Sequence, residues 1–353
     1  MTNINQTNSF SVEMEELTSC PNCQSNDLQV WRQGYDRLNE TCQQRFCYSQ
    51  CQTCQLVFLS SRPVEQEIYQ FYPQDYEPYQ PNQSLDSSSN SIAEDNLTKA
   101  KSWLKTCLKN IITPIFKLHK NITADIFPQS VEQQLENFYE PTEAGQTLLD
   151  FGCGSEQFLA LAQKRGWNPI GLDFSEQVVQ QVRDRGYHAL LISPEVWDEI
   201  ENESIDFVRM NHVFEHLYHP KEDLQAVYKK MKPGAKLHIA VPNPYGVASR
   251  IFRSNWWGLE CPRHVMLYPS SLLETILTDS KYSQVETFYR SIVKDFLRSL
   301  GYVLYDLGII ERDQVGKMAQ KRYLNLILYP FAWLASTFTL ADRFDILCEK
   351  TRT

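Results

Sequence analysis

At Thr147 the hydrophobic pattern of the chain changes. From there short apolar runs alternate with amphipathic stretches. Thr147-Leu-Leu-Asp-Phe151 is a buried-strand run that ends in glycines, and residues 156–165 form a helix stopped at Gly166. Residues 168–172 predict a second strand ending at Asp173, and Ser175 caps a helix running to Gly186. A third strand follows at 188–192 and a fourth at 205–210. Pro220 opens a helix to Met231, and a fifth strand covers 236–241. Apolar strands separated by helices at this period predict a parallel, doubly wound α/β sheet with helices on both faces. Beyond it, 270–277 predicts a short helix, and 284–290 and 344–348 predict strands. Residues 292–340 predict two helices, the second strongly apolar, so a strand pair is split by a helical insertion.

The first 60 residues follow a different logic. Cys20-Pro-Asn-Cys23 and Cys51-Gln-Thr-Cys54 are two knuckles separated by a short span that holds Cys42 and Cys47. Two such pairs have the spacing of a tetrahedral four-cysteine zinc ribbon, with residues 55–59 as one of its strands. Four thiolates close the coordination shell, so the expected zinc is structural. Either Cys42 or Cys47 could replace a knuckle ligand.

Between these regions, residues 73–96 are rich in Pro, Ser, Asn and Gln and predict a linker or loop. Tyr69, Tyr72, Tyr76 and Tyr79 could line a pocket as a lid, or simply pack the loop down. Residues 99–120 carry six lysines and no acid. Trp103, Cys107, Ile111 and Ile115 recur at i+4, an amphipathic pattern disturbed at Pro114. Such a helix suits an anionic membrane surface or plain core packing with a solvated lysine face. Residues 323–341 are apolar but interrupted by Asn325 and Pro330, and shorter than the ~20 clean residues of a spanning helix. Together, 99–120 and 323–341 raise the expectation of peripheral membrane contact, and core packing of 323–341 is the plainer alternative.

Composition narrows the function. The 353 residues carry a net charge of −9, which argues against a general nucleic-acid binder. Seven Trp, eighteen Tyr and eighteen Phe offer ample core material, which excludes a disordered chain. The first residues lack the basic and apolar regions of a signal peptide. Ten cysteines without an export signal fit a reducing compartment, so a cytoplasmic location is expected, with a peripheral position at the inner membrane face as the alternative.

The chemistry gathers at Asp150-Phe-Gly152-Cys-Gly154-Ser-Glu156. In open α/β sheets ligands bind outside the carboxyl ends of the strands, and glycines there let backbone approach a nucleoside. Asp173 stands where ribose hydroxyls are accepted. The third glycine of a dinucleotide fingerprint would fall at Gln157, so that fingerprint fails. The run resembles class I S-adenosylmethionine-dependent methyltransferases. The matching motifs are D-F-G-C-G at 150–154, G-L-D at 171–173, H-V-F-E-H-L at 212–217 with Pro220, K-P-G at 232–234 and Val241-Pro-Asn. The resemblance covers 147–243 and extends to Cys261-Pro-Arg-His264. An N-terminal zinc ribbon also occurs in one bacterial branch, some sugar methyltransferases among it. With the readings above, the expected division is a ribbon at 15–62, a linker or lid at 63–98, an amphipathic helical segment at 99–140, and, as the resemblance implies, a Rossmann-like methyltransferase domain at 141–353 with an insertion about 292–340.

The resemblance implies that Asp150, Gly152, Cys153, Gly154, Asp173, Phe174, Ser193 and Asn211 hold S-adenosylmethionine, with Asp173 on the ribose. The usual D-x-G-x-G-x-G pattern ends here in Glu156, a side chain that could crowd the methionine moiety or hydrogen-bond it. In-line methyl transfer to a hydroxyl needs a base, and His212, His216 and His264 are the candidates, His212 first. The alternative for His212 is a loop-orienting histidine. Some relatives hold a divalent ion with E-x-x-E-H, whose first carboxylate is replaced here by His212. Arg263 could bind an anionic group of the acceptor or pair internally with Glu260. Trp256 and Trp257 suit sugar stacking or core packing. The expected activity is methylation of a small sugar-type or lipid-linked acceptor, with no nucleic-acid partner. The rival expectations are a degenerate cofactor-binding recognition protein and a ribbon-guided RNA methyltransferase.

Overall fold

Five apolar runs of the second half become adjacent strands. The computed structural model describes residues 12–42, 44–73, 139–337 and 339–352. The linker and lysine-rich readings, with Tyr76 and Tyr79, fall mostly or wholly outside them. The described residues up to Pro73 and from Pro141 onward belong to one compact unit.

Among the described residues the main sheet has seven strands. Its parallel part comprises β6 (Thr147–Phe151), β7 (Asn168–Asp173), β8 (His188–Leu191), β9 (Ile205–Asn211) and β10 (Met231–Pro242). Helices α1 (Glu156–Lys164), α2 (Glu176–Asp184) and α3 (Pro220–Lys230) connect these strands. Each helix buries one apolar stripe: Phe158, Leu159 and Ala162 on α1, Val178, Val179 and Val182 on α2, and Leu224 and Val227 on α3. Ser175 accepts from the Val178 amide at 3.4 Å and starts α2.

Strand order is β12-β13-β10-β9-β6-β7-β8, with β12 (Tyr282–Arg290) and β13 (Arg343–Lys350) antiparallel at one edge. The chain runs β6, β7, β8 in one direction and then returns to the other side of β6 for β9. Strand order therefore reverses between β6 and β9, and in open α/β sheets the carboxyl ends of the strands at such a switch point are where ligands bind.

Three helices, not two, fill the insertion between β12 and β13: α6 (Val293–Asp306), α7 (Arg312–Ala319) and α8 (Arg322–Thr337). Two others, α4 (Val247–Phe252) and α5 (Ser270–Asp279), precede it. The extra break comes from Gly308, at φ 68°, and from a capping box in which Glu311 and Gln314 exchange hydrogen bonds. Pro330 lies inside α8. Among the described residues no helix is long and apolar enough to cross a membrane.

The N-terminal module forms β1 (Met14–Glu16), β2 (Leu28–Gly34), β3 (Phe46–Cys51), β4 (Val57–Leu59) and β5 (Ser61–Pro63). Its four-stranded sheet has the order β11-β4-β3-β2, and β11 is Met266–Leu267, two residues beyond His264. The module and the α/β sheet are thus built into each other. Cys20, Cys51, Leu56 and Phe58 share one hydrophobic core with Leu149, Val208 and Ile239 of the main sheet.

Candidate active site

The loop after β6 needs its glycines. Gly152 and Gly154 have φ of 73° and 62°, a region that side chains disfavour. The Gly152 amide donates to the Leu172 carbonyl at 2.6 Å, which ties the loop to the end of β7. A Cβ on Gly152 would lie 2.4 Å from Val213 Cγ2, so the loops after β6 and β9 are in direct contact. Asp173 ends β7, is almost fully buried, and accepts from the Gly154 amide at 2.9 Å and the Ser175 amide at 3.0 Å. Burial pushes its carboxyl up to about 6, against the pull of those amides. Next to it Phe174 is 42 % exposed, its ring meeting that of Tyr72 edge-on at 4.9 Å. Asn211 closes β9 half-buried, and Ser193 follows β8, its hydroxyl accepting from the Glu195 amide at 3.2 Å.

Two expected contacts belong elsewhere. Asp150 is completely buried and accepts from Arg209 at 2.6 Å, directly across the β6–β9 register. It is a sheet-internal ion pair and not a group that faces a ligand. Glu156 pairs with Arg185 at the end of α2, which holds the carboxylate by a partner outside the glycine loop. Cys153 is buried, and its sulfur would lie 2.9 Å from a Cβ on Gly171.

The loop after β9 carries His212 at φ 57°, its amide donating to the Ala240 carbonyl. Arg343 of β13 lies 2.5 Å from its Nε2, and Glu215 Oε1 lies 3.1 Å from its Nδ1. A guanidinium only donates, so the Nε2 lone pair is taken and the proton sits on Nδ1. Burial, then Arg343, hold this imidazole neutral, well below its ordinary pKa. The geometry therefore makes His212 an orienting histidine and not the base expected first.

His216 and His264 are arranged differently. Their rings meet edge-on with centroids 4.7 Å apart. His216 Nδ1 lies 3.0 Å from the Arg263 carbonyl, and His264 Nδ1 lies 2.9 Å from the Gly258 carbonyl. Carbonyls only accept, so both protons sit on Nδ1 and both Nε2 atoms keep a lone pair. His264 is buried, whereas His216 is half-buried and its Nε2 has no hydrogen-bond partner among the described residues. Burial pushes His216 down to about 3 and lowers His264 as well. Glu215 is fully buried with one oxygen unpartnered, and burial pushes its carboxyl up to about 8. One ligand atom each from Glu215, His216 and His264 fall within 4.8 Å of one another. Tyr72 joins this cluster to the glycine-loop side, with its hydroxyl 3.1 Å from His216 Nδ1.

Arg263 is entirely buried. It donates to Asp36 at 3.1 Å, to Glu260 at 3.1 Å and to the Phe71 carbonyl at 3.0 Å. It is an internal ion pair, so an acceptor's anionic group has no access to it. Trp256 is buried too, while Trp257 stacks on Tyr302 at 5.5 Å. Arg343 and Asp36 carried no signal in the sequence, whereas Glu215 stands in the H-V-F-E-H run and Glu260 was expected only as an internal partner of Arg263.

The four knuckle cysteines converge. Cys20 and Cys54 sulfurs lie 3.6 Å apart and Cys23 and Cys51 3.5 Å, too far for a disulfide. Zinc–thiolate bonds of about 2.3 Å at tetrahedral angles put sulfurs roughly 3.8 Å apart, so the set fits zinc. Both knuckles fold alike, with Gln24 and Gln55 in the left-handed region and their amides donating to the Cys20 and Cys51 carbonyls at 2.9 Å. Cys42 and Cys47 lie outside this cluster.

Residues 125–286 match the model of a methyltransferase-domain family. This span, somewhat under half of the chain, is similar to a methyltransferase domain. Within the matched span fall the glycine loop, Asp173 and the histidine cluster. An uncharacterized 37.1 kDa protein in transposon TN4556 of Streptomyces fradiae is 30% identical over 106 residues, covering 28% of this chain and 31% of that protein. A ubiquinone biosynthesis O-methyltransferase of Idiomarina loihiensis is 28% identical over 131 residues, 35% of this chain and 50% of that one. The chain thus spans half or less of these curated relatives. A SAM-dependent methyltransferase from Archaeoglobus fulgidus aligns over 65% of this chain and 98% of its own, with 20% identity and a TM-score of 0.44.

Proposed function

We propose that this protein transfers a methyl group from S-adenosylmethionine to a hydroxyl of a small sugar-type or lipid-linked acceptor. The observation that carries the reading is the half-buried His216, with a fixed tautomer and an open Nε2, joined through Tyr72 to the glycine loop and Asp173. The backbone at Gly152 and Gly154 would hold the methionine and ribose part, with Asp173 on the ribose hydroxyls and Phe174, Ser193 and Asn211 around the base. When bound, the sulfonium supplies an electrophilic methyl, which must face the acceptor oxygen in line.

The chain's own residues then manage the proton. His216 Nε2 takes it from the acceptor hydroxyl as the new bond forms, and the nearby Glu260 carboxylate offsets the positive charge that develops. His264, whose Nε2 lies 3.7 Å from Glu215 and 3.6 Å from Glu260, braces both from behind. His212 and Arg343 hold Glu215 from the other side.

His216→Ala is expected to lower turnover by about 10²- to 10⁴-fold while leaving S-adenosylmethionine affinity unchanged. The measurement is S-adenosylhomocysteine release with hydroxyl-bearing sugar acceptors, beside calorimetry of cofactor binding. Full turnover in this variant, with loss in His212→Ala, would return the base role to His212. Absence of cofactor binding would favour the recognition-protein reading.

A further inference from the structure

We propose that the N-terminal ribbon supplies positioning residues for the methyl-transfer site: Asp36 and Tyr48 fix the tautomers of His216 and His264 by clamping the loop that joins them. The inference rests on the methyltransferase reading for its purpose, but its geometry stands independently.

The clamp begins in the strands. β11 begins two residues after His264 and pairs antiparallel with β4, Met266 opposite Phe58 and Leu267 opposite Val57. The Leu59 amide donates to the Val265 carbonyl, and the Val265 amide donates to the Glu215 carbonyl, both at 2.9 Å. A ribbon strand, the loop after His264 and the loop after β9 are thus linked by successive backbone hydrogen bonds. The cysteine knuckle closes the turn between β3 and β4, so the metal clip sits on the two strands that carry the clamp.

Two ribbon side chains then reach the loop. Tyr48 of β3 is fully buried, and its hydroxyl lies 2.8 Å from the His264 carbonyl and 3.1 Å from the Leu259 carbonyl. Asp36 is fully buried and saturated. It accepts from the Asn39 amide, the Thr41 amide and hydroxyl, and Arg263. Arg263 is the middle of a relay. Its guanidinium is held by Asp36, and its own carbonyl is what accepts the Nδ1 proton of His216. Asp36→Asn takes the charge from one of the two carboxylates, Asp36 and Glu260, that the buried guanidinium contacts, which is unfavourable, so the loop is expected to rearrange. The Arg263 carbonyl then leaves His216, and the Tyr72 hydroxyl that stays 3.1 Å from Nδ1 can donate or accept, so it does not by itself fix which ring nitrogen keeps the proton. Partners of this kind, which set the tautomer of an imidazole without touching substrate, act through geometry alone.

The test uses the full-length protein with histidine ¹⁵N-labelled, and compares wild type with Tyr48→Phe and Asp36→Asn. Readouts are the imidazole tautomers by NMR, S-adenosylhomocysteine affinity by calorimetry, and the thermal midpoint. Wild type is expected to show Nδ1–H tautomers at His216 and His264. Asp36→Asn is expected to give a tautomer mixture at His216, and Tyr48→Phe a mixture at His264. S-adenosylhomocysteine affinity is expected to stay within about twofold, since the glycine loop and Asp173 lie on the other sheet. Tyr48→Phe removes a single hydroxyl and keeps the test decisive should Asp36→Asn fail to fold. Unchanged tautomers in a folded variant, or Nε2–H tautomers in wild type, would overturn the proposal. Failure of wild type to bind S-adenosylhomocysteine, with the tautomers shifting as expected, would strike the methyltransferase reading and leave the clamp intact.

Discussion

Asp173 shows how one residue can report on its own site. Its carboxyl is pushed to about 6, so it is largely ionised at pH 7.5 and largely protonated at pH 5. In its proposed role as an ionised acceptor for ribose hydroxyls it loses that charge as the pH falls. S-adenosylmethionine affinity is therefore expected to drop about tenfold between pH 7.5 and pH 5. Asp173→Asn should bind weakly at both values and flatten the dependence. Calorimetry at the two pH values checks this, and a wild-type affinity that rises on acidification would refute the ribose assignment. Asp150 shows the limit of reading from a motif. It stands beside the glycines in sequence, yet Arg209 lies opposite it in the register, and only the pairing of β6 with β9 reveals that its charge is already spent. Arg263 is hidden for the same reason: Asp36 is 227 residues away and no periodicity links the two.

At the scale of elements, the strands from β6 to β10 were legible because fully buried strands are written as short apolar runs between capped helices. β11 was not, since two residues carry no period. Nor was the break between α6 and α7, which depends on a left-handed glycine and a reciprocal cap rather than on hydrophobicity. The loop after β6 carries its own prediction. Gly152→Ala combines a φ of 73° with a Cβ at 2.4 Å from Val213. Strain of about 1–3 kcal/mol concentrated there should weaken S-adenosylmethionine binding at least about tenfold with little change in secondary structure. Calorimetry and circular dichroism decide it, and wild-type affinity in this variant would mean that the loop is not the cofactor cradle.

Across the whole molecule, the ribbon and the α/β sheet share one core, so loss of the metal should be felt by both. Purified protein is expected to contain about one zinc per chain, held by Cys20, Cys23, Cys51 and Cys54. Cys51→Ser should lose it and lower the thermal midpoint by about 5 °C or more. Metal analysis with thermal melting tests this, and a zinc-free wild type of undiminished stability would remove the zinc from the account.

The placement of β11 also sets an order of assembly. β4 emerges from the ribosome early, but the strand that flanks it is made about 200 residues later. Until then the edge of β4 is bare, and the nascent N-terminal module stays unfinished however soon its cysteines capture an ion. Translation must pass the histidine pair before either half of the protein can be sealed.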